Sequence, residues 1–353
     1  MTRDIVRQIR KKRHLYRSYR LTREPQTYNR YKEVEAHVKQ LIRDSVKRFE
    51  QKLGENIKTD SISFYKYVKS KQQVKDTIGP IRNSSDEISS DSQFMAEELN
   101  NFFASSFTRE NCANIKDPDP VFCGAENDKL SSICITPEIV HKQLKKLKRN
   151  KSPGPDNLGS TFLQDYSDLL AVPLSIIYKR SLQERKVPCD WKRANVTPIF
   201  KKGSKSDPGN YRPVSLTSQA CKVLEAIIRE SIVNHLKEHS LLLNSQHGFS
   251  KGKSCLTNLL LFMEDVTTAI DEGKPLDVIY LDFSKAFDKV PHQRLLRKLH
   301  CHGISGCVAE WIEEWLRDRK QSVVLNGKQS TLQDVLSGVP QGSVLGPTLF
   351  LIL

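Results

Sequence analysis

The sequence predicts an α+β protein, and three observations support this class. Apolar residues recur at helical spacing in the first 50 residues and in several later segments. Short runs rich in β-branched and aromatic residues, bounded by turn residues, occur at 197–200, 278–282 and 323–325. With 353 residues, the chain is long enough for two domains or for one large unit with an extension.

The N-terminal segment is basic and helical in pattern. Residues 1–50 contain 15 Lys and Arg against 6 Asp and Glu, in a chain whose net charge is +15. Pro25 interrupts the apolar spacing, which predicts two amphipathic helices. A surplus of this size favours a polyanionic partner that is bound through its phosphates. A solvated basic helix pair without a specific ligand is the alternative.

The cysteines and the apolar runs indicate the cellular compartment of the protein. The eight cysteines include no Cys-x-x-Cys pair, and the chain has no secretory signal, so we expect reduced intracellular thiols in a protein of the nucleus, the cytoplasm or both. The longest apolar runs are shorter than the ~20 residues that span a bilayer. The sequence therefore predicts no membrane partner.

Turn residues suggest where the domains divide. Residues 112–134 contain Asp-Pro-Asp-Pro and little periodicity, which predicts a linker between an extension at 1–111 and a second domain at 135–353. Thr136 and Pro137 then supply the N-cap and the first position of a helix. Further along, Asn326-Gly327 predicts a hairpin turn after a strand that begins near Val323.

A candidate anion site follows the strand predicted at 197–200. Lys201, Lys202 and Gly203 form the loop after this strand, and Arg212 lies at the start of the returning segment. Fixed cations and flexible backbone N–H groups facing one cavity suit a triphosphate. A hairpin tip that is merely solvated is the alternative.

A candidate metal ligand ends the apolar run at 278–282. The run predicts a buried strand, and Asp282 lies at its C-terminal end. A buried carboxylate needs a compensating cation, and Mg²⁺ is one that oxygen ligands bind. An aspartate that caps the next helix is the alternative.

Six blocks of this sequence resemble the reverse transcriptases of non-LTR retrotransposons, the LINE-type elements of the jockey-like branch. They cover about residues 135–353 in the family's order. The blocks are KSPGPD at 151–156, VTPIFKKG at 196–203, NYRPVSL at 210–216, QHGF at 246–249, VIYLDFSKAFDKV at 278–290 and SGVPQGSVLGP at 337–347.

This resemblance implies the fingers and the first part of the palm of a right-hand polymerase, preceded by a basic helical extension and without a thumb. It also implies RNA-templated DNA synthesis from deoxynucleoside triphosphates, with an RNA template and a DNA primer as partners. By resemblance, Lys201 or Lys202 and Arg212 hold the phosphates. Asp282 and the backbone carbonyl of Phe283 bind Mg²⁺ in a two-metal site.

The resemblance assigns the remaining site residues as well. Phe287 aligns with the aromatic residue under the nucleotide sugar, where a ring leaves no room for a 2′-hydroxyl. Gln341, next to Gly342, aligns with the glutamine that contacts the nucleotide and the templating strand. Another set matches the block that follows the template: Gln246, Gly248 and Lys251.

One feature of the family is missing from the sequence. The paired aspartates that complete the metal site do not occur, because the chain has no Asp-Asp dipeptide. Two dications roughly 4 Å apart repel by ~16 kcal/mol at an effective dielectric constant of 20, more than Asp282 alone offsets. We therefore expect this chain to be inactive by itself. The alternatives are a nucleic-acid-binding remnant without catalysis and a protein-interaction module.

Overall fold

A computed structural model describes residues 3–57, 59–71, 78–113 and 115–353. The chain divides into two compact units, Met1–Thr77 and Ile78–Leu353. Within the described ranges, no helix is both long enough and apolar enough to span a membrane.

The first unit is helical. It contains α1 (Arg3–Thr22), α2 (Pro25–Glu55) and α3 (Ser61–Lys71). The prediction of two helices separated near Pro25 is confirmed, since the proline occupies the first turn of α2, where its missing N–H has no helical partner to lose. Tyr19 and Tyr28 pack across the α1–α2 hairpin with ring centroids 4.9 Å apart.

The second unit combines helices with short strands. Its helices are α4 (Ser92–Ala104), α5 (Pro137–Lys145), α6 (Ser160–Asp165), α7 (Ser167–Glu184), α8 (Gln219–Glu238), α9 (Cys255–Asp271), α10 (His292–Cys301), α11 (Gly306–Leu316) and α12 (Gly346–Ile352). Its strands are β1 (Ile81–Arg82), β2 (Ile88–Ser89), β3 (Arg193–Phe200), β4 (Tyr211–Leu216), β5 (Lys320–Leu325), β6 (Lys328–Gln329) and β7 (Gln333–Asp334). The mixture agrees with the predicted α+β class.

The main sheet is mixed, with the strand order β4-β3-β5-β6 and with β7 paired to β5. Strand β3 runs antiparallel to β4 and parallel to β5. The predicted hairpin turn is confirmed, because Asn326 and Gly327 join β5 to β6 with φ values of 50° and 78°. Positive φ at both positions is the geometry that an Asn-Gly pair favours.

Two hydrophobic clusters hold the second unit together. The larger one joins α5, α7, α8, α10, α11 and α12 and includes the fully buried Trp311 and Trp315. The smaller one packs Leu99 and Phe103 of α4 against Val196 of β3 and Val323 of β5. Helix α4 is therefore built onto the main sheet.

The predicted domain boundaries stay a prediction, but the contacts of residues 112–134 are informative. The backbone N–H groups of Val121 and Phe122 both donate to the carbonyl of Cys301, at 3.0 and 2.9 Å. Leu130 forms a parallel bridge with Ile304. Although this segment is mostly irregular, it packs against α10 and the residues that follow it. Thr136 is the N-cap of α5, as predicted.

The prediction of a buried strand at 278–282 is wrong. Residues 274–283 form no regular structure. Ile279, Tyr280 and Leu281 are more than 80% exposed. No strand of the described residues pairs with this segment, and an extended segment without a partner leaves its backbone groups to water. The pattern identified strand-forming residues, but burial also requires a neighbouring strand.

Candidate nucleotide site

Several of the predicted site residues converge on one cavity of about 520 Å³ in the second unit. The cavity lies between the β3–β4 hairpin, the end of α4, residues 282–288 and the loop before α12. Its lining includes Lys201, Arg212, Asp282, Phe283, Phe287 and Gln341. Residues separated by up to 140 positions in the sequence thus share one site.

The β3–β4 hairpin places the two cations. In the ladder, Arg212 pairs with Ile199, and the N–H of Lys201 donates to the carbonyl of Asn210 at 2.8 Å. Asp207 closes the tip by accepting from the N–H of Gly209 at 2.7 Å. The predicted strand, loop and returning segment are therefore all present. Lys202 is exposed at the loop and does not line the cavity.

The loop that contains Gln341 is fixed by backbone contacts. The N–H of Gly338 donates to the carbonyl of Val290 at 2.8 Å. The carbonyl of Gln341 accepts from the N–H of Ser215, also at 2.8 Å. A Cβ atom on Gly338 would lie 2.6 Å from the carbonyl oxygen of Phe287, and one on Gly342 would lie 2.5 Å from that of Ser215. Glycine is thus required for this close approach.

Phe287 belongs both to the cavity wall and to the core. Its ring stacks on Phe350 at a centroid distance of 5.1 Å and meets Phe249 edge-on at 5.9 Å. The half-buried side chain also packs against the larger hydrophobic cluster. A contact with the nucleotide sugar and a role in the core are therefore compatible for Phe287, since one face of the ring can be packed while the residue lines the cavity.

Two carboxylates line the cavity, those of Asp282 and Asp288. Asp282 is exposed, whereas burial raises the pKa of Asp288, an effect that Lys285 and Lys201 oppose. The described residues contain no cluster of three or more His, Cys, Asp and Glu side chains that could hold a metal ion. This donor set suits a single Mg²⁺ that retains several waters, and it does not suit a two-metal site.

Helix α4 contributes residues that the sequence analysis missed. Phe102, Phe103 and Ser106 line the same cavity, together with Lys285. Lys285 lies within the block at 278–290, whereas Phe102, Phe103 and Ser106 precede every block. Apolar periodicity could have predicted a helix there, but nothing in the sequence indicates which end of it faces the site.

The residues predicted to follow the template occupy the loop between α8 and α9. Gln246 and Lys251 line a second cavity of about 520 Å³, together with Arg229, Lys237 and Phe249. The Nε2 group of Gln246 donates to the carbonyl of Gly248 at 3.2 Å. Phe249 lines this second cavity and Phe287 lines the first one. Because their rings meet edge-on, the two cavities adjoin each other.

The sequence of this chain is similar to those of several known proteins. Residues 199–353 match the family described as "Reverse transcriptase (RNA-dependent DNA polymerase)". The chain is 28% identical over 314 residues to the "Probable RNA-directed DNA polymerase from transposon BS" of Drosophila melanogaster. The matched stretch covers 86% of this chain and 34% of that protein. Together, these similarities support a reverse transcriptase of the non-LTR retrotransposon type. All cavity residues named above, except Phe102, Phe103 and Ser106, lie within the matched range.

Two other relatives extend the comparison. The "RNA-directed DNA polymerase from mobile element jockey" of Drosophila funebris is 31% identical over 219 residues, 62% of this chain and 24% of the relative. The "Retrovirus-related Pol polyprotein from type-1 retrotransposable element R2" of Popillia japonica is 29% identical over 165 residues, 46% of this chain and 23% of the relative. This chain spans about a third or less of the length of these relatives.

Proposed function

We propose that this chain carries the nucleotide-holding part of an RNA-directed DNA polymerase. The convergence of Lys201, Arg212, Phe287 and Gln341 on one cavity is the observation that supports this proposal. The β3–β4 hairpin corresponds to the fingers, and the segment around Asp282 corresponds to the start of the palm. The substrates are deoxynucleoside triphosphates, an RNA template and a DNA primer.

Each side chain has a role in this proposal. Lys201 and Arg212 bind the phosphates, since the guanidinium forms paired, charge-assisted hydrogen bonds. The ring of Phe287 lies against the sugar and excludes a 2′-hydroxyl. Gln341 offers a donor and an acceptor to the base pair, while its neighbour Gly342 lets the backbone come close.

Metal and template contacts complete the proposal. When Mg²⁺ is bound, Asp282 and the carbonyl of Phe283 hold it, and it neutralises phosphate charge. Template phosphates lie along Gln246, Gly248 and Lys251, which suits positioning without base recognition. Because the donor set does not suit two metal ions, the chain alone binds its substrates without turning them over. Nucleotide binding is therefore the direct test.

The experiment compares dATP with ATP in equilibrium titrations of the full chain. We expect dATP to bind more tightly than ATP. Arg212→Met should weaken both by roughly tenfold, because a hydrogen bond to a charged group contributes about 1.5–3 kcal/mol. Phe287→Ala should bring the two affinities closer together, because the steric barrier to the 2′-hydroxyl is lost.

Arg193→Met is the matched control, because Arg193 is an exposed arginine at the opposite end of β3 from Lys201. This variant should bind both nucleotides as the unaltered chain does. Equal affinity of the unaltered chain for dATP and ATP would remove Phe287 from the sugar-selecting role. No measurable binding of either would contradict the proposed site.

A second function, nucleic-acid binding without a nucleotide site, is favoured by one observation. Helices α1 and α2 contain much of the chain's excess positive charge, and most of their residues are partly or fully exposed. The tyrosines between them contact one another, so these helices would bind phosphates rather than stack on bases. Salt-dependent binding of RNA and DNA together with a failure to bind dATP would support this second function.

A further inference from the structure

Lys285 makes two specific contacts with the end of α4. Its ammonium donates to the hydroxyl oxygen of Ser106 at 2.6 Å. The same ammonium lies 4.7 Å from the centroid of the Phe102 ring. All three residues line the cavity that also contains Lys201 and Arg212. A flexible lysine side chain is therefore held in one place at the site.

The backbone of Lys285 has an uncommon conformation. Its φ is +52°, in the left-handed region that non-glycine residues seldom adopt. Its carbonyl accepts from the N–H groups of Asp288 and Lys289, at 3.0 and 3.1 Å. This turn stabilises a conformation that costs about 1–3 kcal/mol, and such strain is concentrated at functional sites.

Helix α4 is a rigid support for these contacts. Leu99 and Phe103 are buried against the sheet, at 0% and 4% exposure. Asn100 donates to the carbonyl of Thr331 at 2.8 Å, and Glu97 accepts from the N–H of Thr331 at 2.8 Å. Phe102 and Ser106 are thus fixed relative to the main sheet, and so is the ammonium that they contact.

We propose that Lys285 is a third phosphate-binding cation of the nucleotide site, and that Phe102 and Ser106 are its positioning residues. This inference rests on the proposed nucleotide site. Lys201 and Arg212 approach the phosphates from the β3–β4 hairpin, and Lys285 approaches from the segment that follows Asp282. The ammonium has three N–H donors, of which Ser106 occupies one, so two remain for phosphate oxygens.

The energetic advantage of this arrangement is that the Lys285 side chain is ordered before the nucleotide binds. A lysine side chain loses about 2 kcal/mol of rotamer entropy when it is fixed. Here the contacts with Ser106 and Phe102 fix it before the nucleotide arrives, so binding does not carry that cost. A lysine that served only to attach α4 would contribute to folding, and it would not affect the affinity for phosphate.

The first test compares Lys285→Met with Lys285→Arg in titrations with dATP and with deoxyadenosine, in buffer without divalent cations. Methionine keeps an apolar stem against Phe102 and removes the charge. We expect Lys285→Met to weaken dATP binding roughly tenfold, to reduce the salt dependence of that binding and to leave deoxyadenosine binding unchanged. Lys285→Arg should keep most of the affinity, because it keeps the cation.

The second test concerns the positioning residues. Phe102→Leu keeps an apolar side chain without a π face, and Ser106→Ala removes the acceptor. Each should weaken dATP binding by roughly two- to fivefold in the unaltered chain. Neither should have any further effect in the Lys285→Met background, because both act through the ammonium. Ser105→Ala is the matched control, since Ser105 hydrogen-bonds to the Phe102 carbonyl but does not line the cavity.

The outcomes separate the two proposals. If Arg212→Met weakens dATP binding and Lys285→Met does not, the nucleotide site stands and the role of Lys285 is wrong. If Phe102→Leu and Ser106→Ala weaken dATP binding equally with and without Lys285, they act on the fold and are not positioning residues. If the unaltered chain binds no dATP, the proposed function itself fails.

Discussion

Helices α8 and α9 contain ten apolar residues each but differ completely in burial. In α8, eleven of the twenty residues are buried, including Leu224 and Ile228 at 0% exposure. In α9, none of the seventeen residues is buried, and Leu259 and Leu260 are about 60% exposed. Apolar composition is therefore not sufficient for burial, since a helix also needs a surface to pack against.

The same contrast divides the candidate site. Lys201, Arg212 and Gln341 belong to the region that is built on the main sheet and held by backbone hydrogen bonds. Asp282 belongs to the exposed region, which continues from α9 through residues 274–283 and is joined to it by the contact of Phe262 with Tyr280. The side of the cavity that is proposed to bind phosphate is thus ordered by the fold, whereas the side that is proposed to bind metal has little support from the described residues.

The largest expected effect tests the contrast directly. Leu224→Ala in α8 should lower the free energy of unfolding by about 2–5 kcal/mol, because it leaves a cavity in the core. Leu260→Ala in α9 should change it by less than about 0.5 kcal/mol, because an exposed leucine loses few contacts and alanine favours the helix. Urea titrations of both variants provide the measurement.

A large loss for Leu260→Ala would show that α9 is covered in solution. The dependence of this loss on protein concentration would then show what packs against α9. A loss of unfolding free energy that grows with protein concentration indicates contact between copies of the chain. A loss that is independent of concentration would indicate packing within the chain itself.

A smaller effect is expected for glycines. Gly338→Ala should lower the free energy of unfolding by about 2–4 kcal/mol, from left-handed strain and from a clash with the backbone of Phe287. Gly252→Ala is the matched control, because its φ is also positive and a Cβ there meets no atom within 4 Å. It should cost only about 1 kcal/mol. Equal losses in urea titrations would mean that the loop around Gly338 can move away.

The region that is built on the main sheet could be predicted from the sequence, because the residues that determine each of its elements lie close together in the chain. Thr136 and Pro137 predict the start of α5, and the Asn326-Gly327 pair predicts a hairpin with both φ values positive. The hairpin that places Lys201 and Arg212 likewise follows from a strand-like run at 197–200 and the glycine-containing loop after it. In each case, the deciding physical constraint lies within a few residues of the element.

The exposed region could not be predicted in this way. The apolar run at 278–282, with its β-branched and aromatic residues, indicates strand propensity, but pairing depends on a strand elsewhere in the chain. The contacts of Lys285 with Phe102 and Ser106 span about 180 positions and follow from the packing of α4 on the sheet. Such long-range contacts leave no periodic or motif signal in one sequence.

The smallest expected effect concerns the two carboxylates of the cavity. Burial raises the pKa of Asp288 in the folded state, so folding favours its protonated form. Its contribution to stability therefore falls as the pH rises from the ordinary carboxyl pKa of about 4 through the raised value, and it is constant above that. Asp288→Asn removes the charge, so its melting temperature should exceed that of the unaltered chain at pH 7 and approach it near pH 3.

Asp282→Asn is the control for this pH dependence, because Asp282 lines the same cavity but lies in the exposed region. Its melting temperature should follow that of the unaltered chain across the same pH range. Melting curves at pH 3, 5 and 7 for both variants make the comparison. If the melting temperature of Asp288→Asn exceeds that of the unaltered chain by the same amount at every pH, the amide packs better than the carboxylate. A pH-dependent increase in the melting temperature of Asp282→Asn would indicate that the Asp282 carboxylate is buried in solution, and the contrast between the two regions would then disappear.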